Sequence, residues 1–458
     1  MLTILAYLMI IVFMIVIMKK WLSPFLTLVL VPIVFAAVVM LTGLAQYPKG
    51  DDGAQVTNLG AMIMDGMSSV SSTGIMLIFA ILYFSIMLDA GMFDPITSRM
   101  IHFAKGDPMK ILIATAIVSA AVSLNGDGTT TTLIVVSAFL PIYKKLHMKV
   151  MNLAVLLILQ NAIMNLLPWG GPTARAMAVL HLDASILTYL LPGMILAIAY
   201  VIFFVAIRMG KQERSRLGVT TLTDAEIDAM MEIPDEETLS VRRPKLFAFN
   251  GILTIVLIVW LVAGSFISAI SVPPSVLFLI GTVIALMVNY PNLKDQSKRI
   301  GAHGGDALQV VILIFAAGVL LGLFQGTGMS DALASNLVSI IPDSWGRFYG
   351  FIIAILSVPG TFFLSNDGFY YGVMPALAKV GVEYGFTNLQ LGIASLMGMA
   401  FHLLSPLVAF IYLLLRMTDL DMGQWQREAG KYAIGVLIIF LVAGSMFFAV
   451  PGHMLFGG

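Results

Sequence analysis

Long apolar stretches constrain the fold of this sequence more than any other feature. Of its 458 residues, 59% are hydrophobic and 11% are charged, whereas soluble domains carry about 25% charged residues. As a helix, a stretch of about 20 apolar residues crosses the hydrocarbon core of a bilayer. The chain is therefore predicted to be an all-α integral membrane protein. The predicted spans are residues 2–18, 24–44, 72–93, 149–181, 183–207, 246–267, 273–290, 307–326, 386–415 and 432–450.

Two further apolar regions, 109–142 and 347–380, are each interrupted by a polar motif. The first motif is LNGDGT at 124–129 and the second is LSNDGF at 364–369. The arms beside each motif are about a dozen residues long, so at ~1.5 Å per residue they barely reach the middle of the bilayer. A Gly-Asp-Gly backbone facing lipid would leave its polar groups without partners. Each region is therefore predicted to be a re-entrant hairpin.

Charged loops predict the orientation of the chain. With the N-terminus outside, 21 of the 25 Lys and Arg residues fall in inner loops, as the preference for positive charge in the cytoplasm requires. Both termini are thus predicted to lie outside a bacterial inner membrane, and the polar stretch 208–245 to be cytoplasmic. Within this stretch, Thr223 and Glu226 have the spacing of a capping box and predict a short helix. The net charge is zero, which gives no reason to expect a nucleic-acid partner.

The two halves of the chain resemble each other. LIFAILYFSIMLDAGMFDPITS at 77–98 is similar to LIFAAGVLLGLFQGTGMSDALAS at 313–335. The two polar motifs then align, with Asp127 opposite Asp367. Each half contains five predicted spans and one hairpin, and an odd number of crossings makes the second half inverted in the membrane.

This repeat predicts the domain organisation. Residues 1–207 and 246–458 form two inverted repeats, joined by the linker 208–245. Many secondary transporters build their substrate site where inverted repeats bring broken helices together near the membrane midplane. An alternating-access transporter follows from this arrangement, whereas a channel does not require it.

Asp127 and Asp367 are the leading candidates for ion coupling. An ionisable residue near the bilayer centre is costly and is usually kept for transport, and the repeat brings the two aspartates towards a common centre. We interpret both as proton- or cation-coupling residues and as ligands of a metal that travels with the substrate. The alternative is that each only caps a half-helix by accepting backbone N–H bonds, and the two roles are compatible.

Both motifs also supply candidate substrate contacts. Threonine hydroxyls beside the free N–H groups of a helix start form an anion-binding arrangement. Amide and hydroxyl side chains can bind a carboxylate or a hard cation, and glycines permit tight turns and the close approach of a ligand. The candidates are Asn125, Gly126, Thr129, Thr130, Ser365, Asn366 and Gly368.

A proline and glycine cluster, NLLPWGGPTAR at 165–175, lies inside the apolar span 149–181 and is predicted to unwind it. Arg175 is a candidate bidentate partner for a substrate carboxylate. Its alternative role is an anchor that extends to the outer interface. In the second half, His402 and Ser405 mark the equivalent break. Ser405 is a candidate substrate contact, and His402 is either a proton carrier or a histidine that is only hydrogen-bonded.

Two aspartates at an anion site would repel the substrate unless a cation intervenes. A divalent metal that bridges the carboxylates and the substrate, or a proton on one aspartate, resolves this conflict. Oxygen ligands favour Mg²⁺, Ca²⁺ or Mn²⁺ without choosing among them. The metal is therefore expected as a co-substrate, and no tightly bound cofactor is predicted. The absence of cysteine excludes thiolate metal sites.

Asp89 and Asp94 lie near the end of a predicted span and are matched in the second half by Gln325 and Asp331. Carboxylates at helix ends commonly serve as solvated caps. We expect that role here rather than a part in transport.

Six strings distributed along nearly the whole chain carry a family resemblance. They are GIMLIFAILYFSIMLDAGMFDP at 74–95, KGDPMKI at 105–111, LNGDGTTTT at 124–132, LPIYKKLHM at 140–148, NLLPWGGPTAR at 165–175 and LSNDGFYYGVMP at 364–375. Together they resemble the CitMHS family of metal–citrate:proton symporters, part of the ion transporter superfamily. The resemblance implies uptake of citrate as a metal complex together with protons. It also implies a homodimer, in which hairpins and broken helices form an elevator-type transport domain that moves against a scaffold.

The resemblance further implies which residues contact substrate and ions. It supports the two polar motifs and adds Gly171 and Thr173 of the broken helix to the candidates. One position departs from the family pattern, because the family commonly has Asp where this chain has Asn125. This difference removes one negative charge from the site.

Other classes of function remain as alternatives. A metal-free or sodium-coupled di- or tricarboxylate transporter, or an organic anion exchanger, would use the same fold. An intramembrane aspartyl protease would also use two buried aspartates, but its GxGD motif is absent because Leu124 stands where the first glycine would be. The chain is therefore not expected to be an enzyme.

Overall fold

A computed structural model describes residues 1–47, 57–219, 222–229, 235–340 and 343–446. Within these ranges every regular element is a helix and none is a strand. The all-α prediction is therefore confirmed.

Eleven α-helices form the first half of the chain and two short ones lie in the linker. The first half contains α1 (Leu2–Met18), α2 (Pro24–Leu41), α3 (Leu59–Ser69), α4 (Ser71–Asp89), α5 (Asp94–Ala104), α6 (Pro108–Val122), α7 (Gly128–Lys145), α8 (Val150–Met164), α9 (Gly171–Leu180), α10 (Ile186–Ala199) and α11 (Ile207–Leu217). The linker contains α12 (Asp224–Asp228) and α13 (Glu236–Val241). A π-helical stretch, Tyr200–Ala206, joins α10 to α11.

The second half contains eleven α-helices within the described ranges. They are α14 (Phe247–Gly264), α15 (Pro274–Asn289), α16 (Leu293–Gly326), α17 (Met329–Ile340), α18 (Asp343–Gly346), α19 (Tyr349–Phe363), α20 (Met374–Glu383), α21 (Asn388–Leu396), α22 (Met399–His402), α23 (Ala409–Thr418) and α24 (Met422–Met446). A second π-helical stretch, Gly368–Val373, leads into α20.

Seven helical segments within the described ranges are long and apolar enough to cross a membrane. They are Pro24–Leu41, Ser71–Asp89, Pro108–Asn125, Ile186–Leu217, Pro244–Gly264, Leu293–Gly326 and Met422–Ser445. Shorter apolar helices, α1, α8, α15, α19 and α23, accompany them. The chain is thus a multi-pass membrane protein.

The order of elements is similar in the two halves. In the first half, α3 and α4 are separated only by Val70, and in the second half one 34-residue helix, α16, stands in their place. Each half of the chain then continues with a short helix, a pair of helices around a polar motif, a broken helix and a long final helix. This order supports a repeat, and the inversion of the second half stays a prediction.

The backbones of α3 and α16 touch where glycines face each other. A Cβ added at Gly66 would collide with the carbonyl oxygen of Gly318, and one added at Gly322 would collide with that of Met62. Glycine therefore sets the separation of these two helices, as small residues do at helix contacts within membranes.

The arms of the first hairpin region are longer than predicted. α6 has 15 residues and α7 has 18. With the 3₁₀ turn that follows α6, Pro108–Asn125 rises by ~27 Å, which approaches the thickness of the hydrocarbon core. The expected arm length of about a dozen residues was therefore too short, and the re-entrant position of the arms in the bilayer stays a prediction. α7 continues to Lys144 and Lys145, whose charges suit a helix C-terminus.

Both predicted helix breaks are present. α8 ends at Met164 and α9 begins at Gly171, while α22 ends at His402 and α23 begins at Ala409. Proline and glycine at the breaks remove backbone donors or helical preference. At the first break, the carbonyl oxygen of Asn165 accepts a hydrogen bond from the Thr173 hydroxyl.

Helix α11, which covers the start of the predicted linker 208–245, and the segment that follows it lie against the ends of α5 and α6. Asp107 pairs with Arg214 at 2.6 Å, and the N–H group of Leu222 donates to the carbonyl oxygen of Lys105 at 3.0 Å. The predicted capping box at Thr223 is present and starts α12. The described part of the linker is therefore attached to the first half by specific contacts.

The expectation of a solvated cap is wrong for Asp89. Its side chain is 16% exposed, and its Oδ2 accepts from Arg299 at 3.0 Å and from His303 at 2.7 Å. Asp94 is half exposed and pairs with Arg242 at 2.8 Å. Both partners of Asp89 lie on α16, so this ion cluster ties the end of α4 to α16. The partners are more than 200 residues away in sequence, and no local pattern reveals them.

Candidate functional site

The first polar motif forms a turn that starts α7. Gly126 has a φ of +79°, a left-handed conformation that glycine adopts at little cost. The Asn125 Oδ1 accepts from the N–H group of Asp127 at 2.6 Å. The Asp127 carboxylate then accepts from the N–H groups of Thr129 at 3.2 Å and Thr130 at 2.7 Å. Asp127 therefore caps α7, which is the alternative role considered for it, and its side chain also faces a cavity.

Trp169 joins this turn to the broken helix between α8 and α9. Its indole Nε1 donates to the carbonyl oxygen of Leu124 at 2.7 Å. A Cβ added at Gly126 would lie 3.0 Å from the Trp169 ring and 3.2 Å from its carbonyl oxygen. The indole also stacks on Phe84 of α4, with ring centroids 4.8 Å apart. One aromatic side chain thus holds the motif, the helix break and α4 together.

A cavity of about 530 Å³ lies at this junction. Small-molecule sites typically have volumes of about 300–1,000 Å³. The lining residues are Ile81, Ser85, Leu88, Asn125, Gly126, Asp127, Thr129, Thr130, Trp169, Gly171, Asp306, Gln309 and Val310. Six of the sequence candidates are therefore brought together at one cavity. Its lining includes two carboxylates, Asp127 and Asp306, and no Lys, Arg or His.

The second aspartate, Asp367, forms an ion pair with Arg175. The Arg175 Nε lies 2.7 Å from the Asp367 Oδ1, and the two side chains are 17% and 14% exposed. The Arg175 Nη1 donates to the carbonyl oxygen of Gly171 at 2.9 Å, and Gly171 lines the cavity. Arg175 also lies near the Tyr371 ring, at 5.9 Å from its centroid. The guanidinium therefore links the second motif to the wall of the cavity and does not extend to an interface.

The other polar residues of the second motif lie outside the cavity lining. The N–H group of Gly368 donates to the Ser365 Oγ at 3.1 Å, which caps the helical stretch that follows. The Asn366 Oδ1 is buried and has no partner among the described residues. The second motif thus has the same form as the first, a polar turn that caps a helix, but it faces Arg175.

Three further candidates contact backbone carbonyl groups, one at a helix break and two at the end of α19. The Thr173 hydroxyl donates to the carbonyl oxygen of Asn165 at 3.1 Å. The Ser405 hydroxyl donates to the carbonyl oxygen of Phe362 at 2.5 Å, and the His402 Nδ1 lies 2.8 Å from that of Thr361. Thr173 and Ser405 are fully buried and His402 is 5% exposed. None of the three is among the cavity-lining residues. Thr173 connects the two parts of the broken helix α8–α9, and Ser405 and His402 connect the second break to the end of α19.

Sequence reasoning did not select four lining residues that carry polar groups or hold the site together. They are Ser85, Trp169, Asp306 and Gln309. Trp169 stands inside the broken-helix string, and its position between proline and glycine was the available signal. Asp306 is the last charged residue before the apolar part of α16 and stands directly before the predicted span 307–326.

Comparison with known proteins identifies the family. The citrate transporter family, CitMHS, matches residues 1–401. The chain belongs to this family. It is 45% identical over 447 residues to a protein of Bacillus subtilis (strain 168) named "Citrate transporter", covering 97% of this chain and 99% of that protein. It is 40% identical over 458 residues to the "Mg(2+)/citrate complex secondary transporter" of the same organism, covering 98% and 99% of the two chains.

Membership in the CitMHS family confirms several predictions. The resemblance noted in the sequence is correct, and the relatives are transporters and not enzymes. The fold is similar to that of the Alcanivorax borkumensis YdaH transporter, with a TM-score of 0.63 and 13% identity, covering 93% of this chain and 98% of that one. At this identity the likeness describes the fold alone.

Proposed function

We propose that this protein is a secondary active transporter that takes up citrate bound to a divalent metal ion, in symport with protons. The observation that carries the proposal is the cavity at the first polar motif, lined by Asp127 and Asp306 and by no basic side chain. A relative named as a Mg²⁺/citrate complex secondary transporter supports it.

The charge of the cavity favours a metal-bound anion. Free citrate is negative, and two like unit charges ~5 Å apart repel by about 3 kcal/mol at an effective dielectric constant of 20. A bound divalent cation lowers the charge of the substrate and has open coordination positions for carboxylate oxygens. Among the described residues, no three His, Cys, Asp or Glu side chains are grouped to hold a metal. In this proposal the metal is cargo, and citrate supplies part of its ligands.

The first motif has groups that suit the anionic part of the complex. The Asn125 Nδ2 is buried and has no partner among the described residues, so it can donate to a citrate carboxylate. Thr129 and Thr130 line the cavity beside it and add hydroxyl donors. Gly171 allows substrate to approach the broken helix, since it presents no side chain. Asp127 provides the negative charge that the metal requires.

The second motif suits proton coupling. Asp367 and Arg175 are paired and mostly buried, so protonation of Asp367 would release the guanidinium that now contacts Gly171. Binding of a proton at one motif is thereby connected to the wall of the substrate cavity. Asp367 is the proposed proton site, while His402, Ser365, Asn366, Gly368, Thr173 and Ser405 shape the elements around it.

The proposal includes the arrangement in the membrane. We infer that residues 1–207 and 246–458 are inverted repeats in a bacterial inner membrane, with both termini outside. The described helix α24 ends at Met446, and the C-terminal residues beyond it lie outside the described part of the chain. A homodimer with an elevator-type motion of the hairpins and broken helices completes the proposal.

Uptake of labelled citrate into proteoliposomes tests this function. An inward proton gradient is imposed with Mg²⁺, Ca²⁺, Mn²⁺ or a chelator present, and a sodium gradient is tested separately. Accumulation that needs both the metal and the proton gradient is expected. Equal uptake in chelator would show a metal-free carboxylate carrier, and accumulation driven only by sodium would show a different coupling ion.

A further inference from the structure

One face of α16 contributes to the cavity from the second half of the chain. Arg299, His303 and Asp306 follow this face at spacings of four and three residues, which places them in line along a helix. Gln309 and Val310 continue it into the cavity wall. α16 is polar up to Asp306 and apolar from there to its end.

The charged residues on this face differ in their partners. Arg299 and His303 both bind Asp89 of α4. Asp306 makes neither a hydrogen bond nor an ion pair with any described residue. The two basic residues of this face are thus held by another carboxylate, and Asp306 remains a free carboxylate at the cavity.

Asp306 also differs from Asp127, the other carboxylate of the cavity. Both oxygens of Asp127 already accept backbone N–H groups at the start of α7, whereas Asp306 lies in the middle of a helix and caps nothing. A hard divalent cation prefers carboxylate and carbonyl oxygens. Asp306 has the oxygens that are least occupied by the protein, and the carboxamide oxygen of Gln309 follows one turn later.

We propose that Asp306 is the specificity-determining residue that recognises the metal ion of the metal–citrate complex, with Gln309 as a neutral second contact. This inference rests on the proposed function. The metal is held between citrate and the α16 side of the cavity, directly or through its bound water, while Asn125, Thr129 and Thr130 of the first motif bind the carboxylates of citrate. Free citrate is repelled by the same unpaired charge, so Asp306 selects the complexed form.

Matched substitutions on α16 test the role of Asp306. Asp306→Asn removes the charge and keeps the size of the side chain, and Asp306→Glu keeps the charge. Asp295→Asn is the control, because Asp295 is exposed on the same helix and is not among the cavity-lining residues. Uptake is measured at increasing Mg²⁺–citrate, and again with excess metal-free citrate as competitor.

Asp306→Asn is expected to raise the KM for Mg²⁺–citrate about tenfold and to make metal-free citrate a stronger competitor. Asp306→Glu should retain most of the discrimination, and Asp295→Asn should match the wild type. Because Asp306 is exposed and unpaired, the thermal midpoint of the detergent-purified variants should stay unchanged, which separates recognition from folding.

The outcomes separate this inference from the proposed function. If the wild type takes up Mg²⁺–citrate and Asp306→Asn has the same KM and the same discrimination, the role of Asp306 is overturned and the proposed function stands. If the wild type shows no metal dependence, and calorimetry on the purified protein shows no binding of Mg²⁺–citrate, both fail together. If the wild type discriminates between Mg²⁺–citrate and metal-free citrate and only Asp306→Asn loses this discrimination, the inference and the proposed function are both supported.

Discussion

Asp127 has two roles at the residue scale that substitution can separate. Its carboxylate caps α7, and its charge faces the cavity. Asparagine is as good a helix cap as aspartate, whereas replacement of a cap by alanine costs about 1 kcal/mol. The cap therefore needs only an oxygen that accepts hydrogen bonds, whereas binding of the metal needs the negative charge.

We expect Asp127→Asn to lower metal-dependent citrate uptake at least tenfold without loss of stability. Asp127→Ala should lose the same activity and also lower the thermal midpoint, because the first turn of α7 loses its cap. Both are measured on the detergent-purified protein and in proteoliposomes. Full uptake by Asp127→Asn would remove Asp127 from the ion site.

The Arg175–Asp367 pair lends itself to a double-mutant cycle. Both side chains are less than a fifth exposed, and removal of one member of a buried pair typically costs about 3–5 kcal/mol because the other charge is left unpaired. Arg175→Met should therefore be much less stable than the wild type, and Arg175→Met with Asp367→Asn should recover most of the loss. Thermal unfolding of the detergent-purified variants measures these differences in stability.

Transport by the same variants separates structure from coupling. If Asp367 carries the proton, Asp367→Asn and the double variant both lose proton-driven accumulation although the double variant is stable. A stable double variant that accumulates citrate normally would show that the pair only supports the fold.

At the scale of elements, the contact of α3 with α16 depends on glycine along part of α16 only. Gly322 leaves no space for a Cβ beside Met62, whereas nothing lies within 4 Å of a Cβ added at Gly301 or Gly304 on the same helix. The two groups of glycines thus provide an internal comparison. One is needed for close packing, and the other only weakens the helix by about 0.5–1 kcal/mol per residue relative to alanine.

Gly322→Ala is expected to lower the thermal midpoint and the yield of folded protein, because the backbones of α3 and α16 must separate. Gly304→Ala, the matched control, should be neutral or slightly stabilising. Both are compared by size-exclusion chromatography and thermal unfolding. Equal stability of the two variants would show that α3 can move away from α16 at little cost.

For the whole molecule, local chemistry was predictable from sequence and distant contacts were not. The break before Gly171 follows from neighbouring prolines and glycines, and the capping box at Thr223 follows from a spacing of three residues. The partners of Asp89 and the cavity role of Asp306 depend on residues from opposite halves of the chain. Repeat alignment paired Asp127 with Asp367, but it could not show that only Asp367 forms an ion pair with Arg175.

If the two halves are inverted, the two hairpins must face opposite sides of the membrane. α7 and α20 occupy equivalent places after the two polar motifs, so in inverted repeats their far ends must lie on opposite sides. The chain has no cysteine, and single cysteines can be placed at exposed positions there, Lys145→Cys and Glu383→Cys. Asp235→Cys in the linker is the control for the inner side.

An impermeant maleimide added to intact cells should label Glu383→Cys and leave Lys145→Cys and Asp235→Cys unlabelled until the membrane is opened. The excess of basic residues on one side predicts this orientation, since Lys144, Lys145 and the basic ends of the linker fall on the same side. Labelling of both hairpin ends from one side would mean that the halves are parallel.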